Sequence, residues 1–78
     1  MSTKLELLIR TQARAQGLSL AEVARRANLS RQCLYNLCRC QANPTIYTVM
    51  DLAQTLELSP LQLFEAYFAS AEYEDHPD

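Results

Sequence analysis

In 78 residues the chain has one glycine, one histidine and no tryptophan, and no lysine or arginine after residue 39. With Gly17 alone there is no Gly-rich loop to cradle a phosphate. With His76 the sole imidazole, there is no His-based catalytic or metal constellation. No apolar run approaches the roughly eighteen residues of a membrane span, and Glu6 and Arg10 break up the N-terminus where a signal peptide would be apolar. No stretch alternates convincingly with period two, so no sheet is expected. A cytoplasmic chain that folds as one small helical domain is the expectation, with no membrane association.

The residues present suit that reading. At 49% hydrophobic and 21% charged, the composition is globular rather than disordered. Abundant Ala, Leu, Gln, Glu and Arg favour helix. Charge is sorted along the chain. All seven basic residues (Lys4, Arg10, Arg14, Arg25, Arg26, Arg31, Arg39) stand in the first forty positions against Glu6 and Glu22, a net +5, while the remainder has seven acids and a net −7. That asymmetry suits a cationic face for a polyanion and an acidic end kept away from it. Solvated helix faces that sorted by sign would look the same.

Helix-start and helix-stop signals divide the chain into segments near 4–16, 20–27, 31–39, 46–57 and 60–70. Thr3 with Glu6, Ser19 with Glu22 and Ser59 with Gln62 have capping-box spacing. Ser30 and Thr45 are further N-caps, and Pro60 fits a first helical position. Gly17 and Asn28 suit left-handed stops, and Pro44 bars a helix from running through Asn43. Apolar residues recur at three and four: Leu5, Leu8, Ile9; Leu20, Val23, Ala24; Leu34, Leu37; Ile46, Val49, Ala53, Leu56; Leu61, Phe64, Phe68. Residues 1–70 then form the domain, and the acidic 71–78 a frayed tail.

The second and third helices are joined only by Asn28-Leu29-Ser30, which forces the sharp crossing of a helix-turn-helix. Ala24 is small where they touch, Leu29 plugs the crossing and Ser30 caps the next helix. From Gly17 to about Phe64 the chain resembles the lambda-repressor-like helix-turn-helix domain of Cro and phage repressors, the XRE family. Gly17-Leu18-Ser19, Glu22-Val23-Ala24, Leu29-Ser30-Arg31, Asn43-Pro44-Thr45, Leu52-Ala53 with Leu56-Glu57-Leu58-Ser59, and Leu63-Phe64 match its pattern in order. The resemblance implies an all-α, compact five-helix DNA-binding domain with the helix-turn-helix at helices two and three.

It also implies that bases are read by the start and outward face of helix three, here Arg31, Gln32 and Asn36, with Tyr35 beside them. Arg can donate twice to guanine, and Gln or Asn can pair both edges of adenine. Phosphate contacts would come from Arg10, Arg14, Arg39 and Ser19 at the start of helix two. The sequence departs from the family at Leu20, where Gln is usual, and at Cys40-Gln41-Ala42, where a Gly-Lys-Arg stretch is usual. A family Glu falls at Cys38 and its Arg partner at Ala13, so an ion pair is exchanged at both ends at once. Losing both charges strands neither.

Cys33, Cys38 and Cys40 lack the paired spacing of a zinc site, and a cytoplasmic chain does not use structural disulfides. They read as small fillers, a redox switch on DNA binding being the other reading. There is no catalytic pocket or constellation, so no enzyme, cofactor, metal or small-molecule substrate is expected. Leu61, Leu63, Phe64, Tyr67, Phe68 and Tyr73 exceed what one buried helix face needs. Leu63 and Tyr67 are therefore candidate contacts of a homodimer, which would read a palindromic operator in double-stranded DNA. The expected role is a sequence-specific regulator, a repressor. The alternative is a protein-interaction or antitoxin-type module that kept the fold with little DNA binding.

Overall fold

Every helix starts at a hydroxyl. In the computed structural model, which describes residues 3–39, 41 and 44–74, the chain forms α1 (Lys4–Ala15), α2 (Leu20–Arg26), α3 (Arg31–Cys38), α4 (Ile46–Leu56) and α5 (Pro60–Glu74). The N-caps are Thr3, Ser19, Ser30 and Thr45, whose side chains accept from the backbone N–H groups of Glu6, Glu22, Cys33 and Thr48. Ser59 accepts from Leu61 N–H, and its own N–H donates to Gln62 Oε1 at 3.1 Å. Of the three capping boxes expected, this one is closed in both directions. The Glu6 and Glu22 carboxylates instead hold arginines one turn further on.

Three of the helix ends share one closure. Gly17, Asn28 and Glu57 have φ of 71°, 61° and 58°. In each case the leucine that follows, Leu18, Leu29 or Leu58, donates to a carbonyl five residues back at 2.8 Å. All three leucines then pack against the core. Gly17 and Asn28 match the stops expected from sequence. Glu57 was expected to end α4 as its last helical residue and is the left-handed residue that turns Leu58 inward.

The core gathers Leu5, Ile9, Val23, Leu34, Leu52 and Leu56, the largest fully buried side chains. Ala24 and Ala27 let α2 approach its neighbours closely. Polar ties link distant segments. Leu5 N–H donates to the buried Ser70 hydroxyl at 3.0 Å, joining α1 to α5. The Thr3 hydroxyl donates to the Cys38 carbonyl at the end of α3, and Gln12 and Gln16 cap the Leu56 carbonyl of α4.

Two further expectations are corrected on α5. The helix does not fray at 71 but continues through Glu74. Good helix formers follow Ser70, and the next breaker is Pro77; residues 75–78 of the expected tail lie outside the described residues. The buried face is also rotated from the expected one. Leu63 is only 3% exposed, so it fills the monomer core and is not free to make a dimer contact. Leu61 and Phe68, which belong to the apolar repeat of the segment, face solvent, as does Ile46 on α4. The α5 segment is apolar on nearly every side, so its periodicity does not choose a face.

Two stability changes are expected. Ser70→Ala leaves the Leu5 amide buried without its acceptor and costs about 1–3 kcal/mol. Gly17→Ala meets no steric neighbour, so its cost is the left-handed backbone alone, about 1–2 kcal/mol, with Gly17→Asn costing less. Urea denaturation of the three variants measures both.

Candidate nucleic-acid interface

The turn at Asn28 and Leu29 sets α3 across α2, with Leu34, Leu37 and Cys38 directed into the core. The opposite side of α3 is thereby presented outward. Arg31 and Gln32, in its first turn, are exposed. Tyr35 and Asn36, one turn later, are half-buried. The four candidate base-reading residues thus lie on one stripe, and Gln32 Nε2 donates to Asn36 Oδ1 at 3.0 Å. That bond joins two side chains that the sequence offered only as separate readers. Its signal was available, since amides at i and i+4 on a helix are neighbours.

The candidate phosphate contacts divide. Arg10, Arg14, Ser19, Leu20 and the Gly17–Leu18 turn line one open groove between α1 and the start of α2. The α1 helix packs against α3 as well as α2, so the arginine-bearing helix lies beside α3. The Arg10 guanidinium is held by Glu6, 2.8 Å from Nε, and that hydrogen bond raises the pKa of Arg10 above its ordinary value. Ser19 uses its hydroxyl oxygen to cap α2. Arg39 is exposed but sits apart from the groove, at the C-cap of α3.

On α2 the two basic side chains share one acid. Arg25 and Arg26 both bind Glu22, and these bonds, Arg25 first, hold the Glu22 carboxyl below the usual carboxylate range. With Arg10 on Glu6, three of the seven basic side chains are therefore partnered on the protein surface.

Ala13 and Cys38 are each 2% exposed and belong to the same buried cluster. A lone charge at either position would be stranded in the core. Cys33, in contrast, is exposed, so the two thiols point apart as expected; Cys40 lies outside the described residues. Among the described residues no cluster could hold a metal ion, and no helix is long and apolar enough to cross a membrane.

Large apolar side chains are exposed on two helices, on α5 where the sequence has an excess of them and also on α4. Ile46, Tyr47 and Met50 are exposed on α4, and Leu61 and Phe68 on α5. Phe68 stacks on Phe64 with ring centroids 6.0 Å apart and meets Tyr67 edge-on. Pro44, which leads into α4, lines one crevice with Phe64 and Tyr67, so the entry to α4 adjoins the aromatic edge of α5. The visible signal was Tyr47 and Met50, two large apolar side chains outside the apolar repeat that begins at Ile46.

Fold and site together define a helix-turn-helix domain. The helix-turn-helix family model matches residues 9–63, and the chain belongs to that family, the lambda-repressor-like class of DNA-binding transcription-regulator domains rather than of enzymes. It is similar to an uncharacterized HTH-type transcriptional regulator, y4dJ, of Sinorhizobium fredii, with 42% identity over 50 residues, 64% of this chain and 65% of the relative. The chain thus spans about two thirds of the length of that relative. Its fold is also that of a tyrosine-to-alanine mutant of the restriction-modification controller protein C.Esp1396I, at a TM-score of 0.63 and 24% identity, covering 95% of this chain and 94% of that one.

The paired exchange at Ala13 and Cys38 has a measurable consequence. Cys38→Glu alone should destabilise by about 3–5 kcal/mol, because a buried carboxylate is left without a partner. Adding Ala13→Arg should recover most of that loss. A double-mutant cycle by chemical denaturation checks the coupling.

Proposed function

We propose that this chain is a sequence-specific DNA-binding transcription regulator that inserts α3 into the major groove and acts as a homodimeric repressor. The observation that carries it is the arrangement of α3. Arg31 and Gln32 stand exposed in its first turn, on a helix locked by Leu34 and Leu37, beside a groove carrying Arg10 and Arg14. A recognition helix of this kind makes its base contacts from its N-terminal residues, while the preceding helix lies against the backbone. Arg31 carries guanine chemistry and Gln32 adenine chemistry. Arg10, Arg14 and Arg39 supply phosphate contacts that position without specifying.

The dimer rests on the exposed apolar surface. Ile46, Met50, Leu61 and Phe68 are each more than half exposed, an arrangement a monomer has no use for. Leu63 is excluded from it by burial, and Tyr67, packed partly on the core, sits at its edge. A single α3 reads few base pairs. Two copies spaced about one DNA turn apart read a palindrome with operator-grade specificity. A dimer seated on an operator blocks access to the promoter it overlaps, in the cytoplasm where that DNA is.

A second reading, a protein-interaction module of the same fold, is favoured by the engagement of Arg25 and Arg26 with Glu22 and by the acidic C-terminal half. Selection from random duplex DNA separates the two. The wild-type chain should enrich a palindrome, and Arg31→Ala/Gln32→Ala should abolish it, each bidentate contact contributing about 1–3 kcal/mol of discrimination. No enrichment from folded protein would favour the interaction module.

Arg14→Ala should instead weaken binding alike on all sequences and lower the slope of log K against log salt by about 0.9. Phe68→Glu should convert dimer to monomer in sedimentation equilibrium, with the far-UV circular dichroism unchanged.

A further inference from the structure

We infer that Gln32 and Asn36 act as one coupled unit, in which Asn36 does not read a base of its own but orients the Gln32 amide so that it accepts adenine and rejects guanine. The inference rests on the DNA-reading function proposed above and deepens it by assigning a base preference and a positioning residue.

Gln32 is exposed and Asn36 half-buried, one helical turn apart, with Gln32 Nε2 donating to Asn36 Oδ1 at 3.0 Å. An isolated carboxamide is a poor discriminator. Rotated one way it offers an acceptor and a donor, and rotated the other way the same two groups exchange places. The bond to Asn36 restricts that freedom, because turning Gln32 alone would set Oε1 against Asn36 Oδ1, acceptor against acceptor. It consumes one Nε2 hydrogen and leaves Gln32 with Oε1 and a second Nε2–H. Those two groups match adenine in the major groove, where N6–H donates and N7 accepts. Guanine presents two acceptors, O6 and N7, so Oε1 would face O6 across a repulsive gap. To donate twice to guanine, Gln32 must abandon Asn36, or both amides must rotate together.

Preorganisation adds a second effect. Gln has a long, rotamer-rich side chain, and ordering it costs affinity when a complex forms. Here the side chain is already anchored before DNA arrives. Asn36 is suited to the anchoring role because it is shorter and sits deeper on the same stripe as Gln32.

The test uses the full chain on its selected duplex, with each base pair replaced in turn. Gln32→Ala should relax an A·T preference at one base pair, where a full bidentate contact is worth ~5-fold to ~150-fold. Asn36→Leu keeps the shape and removes the acceptor. It should relax the preference at that same base pair, and the double variant should be no worse than Gln32→Ala alone. Asn36→Asp retains an acceptor and should keep the base preference while lowering overall affinity. Without DNA, Asn36→Leu should shift the Gln32 side-chain amide resonances.

If Asn36→Leu changes a different base pair, weakens all sequences alike, or adds independently to Gln32→Ala, the inference is overturned. So it is if the Gln32 resonances do not respond. A wild-type chain that selects no sequence at all overturns the DNA-reading function, and this inference with it.

Discussion

Asn28, at a φ of 61°, reverses the chain in a single residue, and Leu29 then closes the turn by donating to the Ala24 carbonyl at 2.8 Å. The orientation of α3 depends on that closure. A longer or looser connection would let α3 swing, and its Arg31–Gln32 turn would lose a defined position relative to the Arg10–Arg14 groove. The same device recurs at Gly17–Leu18 and at Glu57–Leu58, so three of the interhelical angles are set by a left-handed residue followed by a leucine that is half-buried. Each junction satisfies orphan carbonyls and buries an apolar side chain in one step. A chain this short gains its rigidity from such junctions, since its core is too small to hold loosely joined helices.

Rigid junctions also explain how the site tolerates departures from the family pattern. With α3 fixed by Leu34, Leu37 and Leu29, an ion pair at positions 13 and 38 is not needed to hold it, and two small buried side chains serve. Glu6 holds Arg10 on α1, and Glu22 holds Arg25 and Arg26 on α2, so fewer arginines are unpaired on these helices than stand in the sequence. In the proposed function, electrostatic attraction to DNA then falls chiefly to Arg14, Arg31 and Arg39, with Arg10 shared with Glu6. A protein that draws less on phosphate charge draws proportionally more on base contacts and on assembly. In the proposed function, the Gln32–Asn36 pair and the exposed apolar side chains of α4 and α5 would supply these.

Most of the fold was legible in the sequence because its signals are local. A Ser or Thr ahead of an apolar-periodic run caps a helix whatever the rest of the chain does, and all five such residues do so here. The placement of Arg31, Gln32, Tyr35 and Asn36 on one outward stripe was equally legible, since Leu34 and Leu37 mark the inward side of the same helix. The grouping of Arg10, Arg14 and Ser19 along one groove came only from the packing of α1 on α2.

By itself, then, the sequence determined the number and order of the helices, the turn chemistry between the second and third, and the chemical character of the reading stripe. These depend on spacings of three and four residues and on single capping or left-handed positions. Tertiary structure alone decided which face of α5 is buried, sending Leu63 and Ser70 inward and Leu61 and Phe68 outward. It also decided that Glu57 would be the left-handed residue. Neither outcome could be read locally. An α5 that is apolar nearly all round has no intrinsic inside, and a glutamate takes a positive φ only when burial of the following leucine offsets the strain.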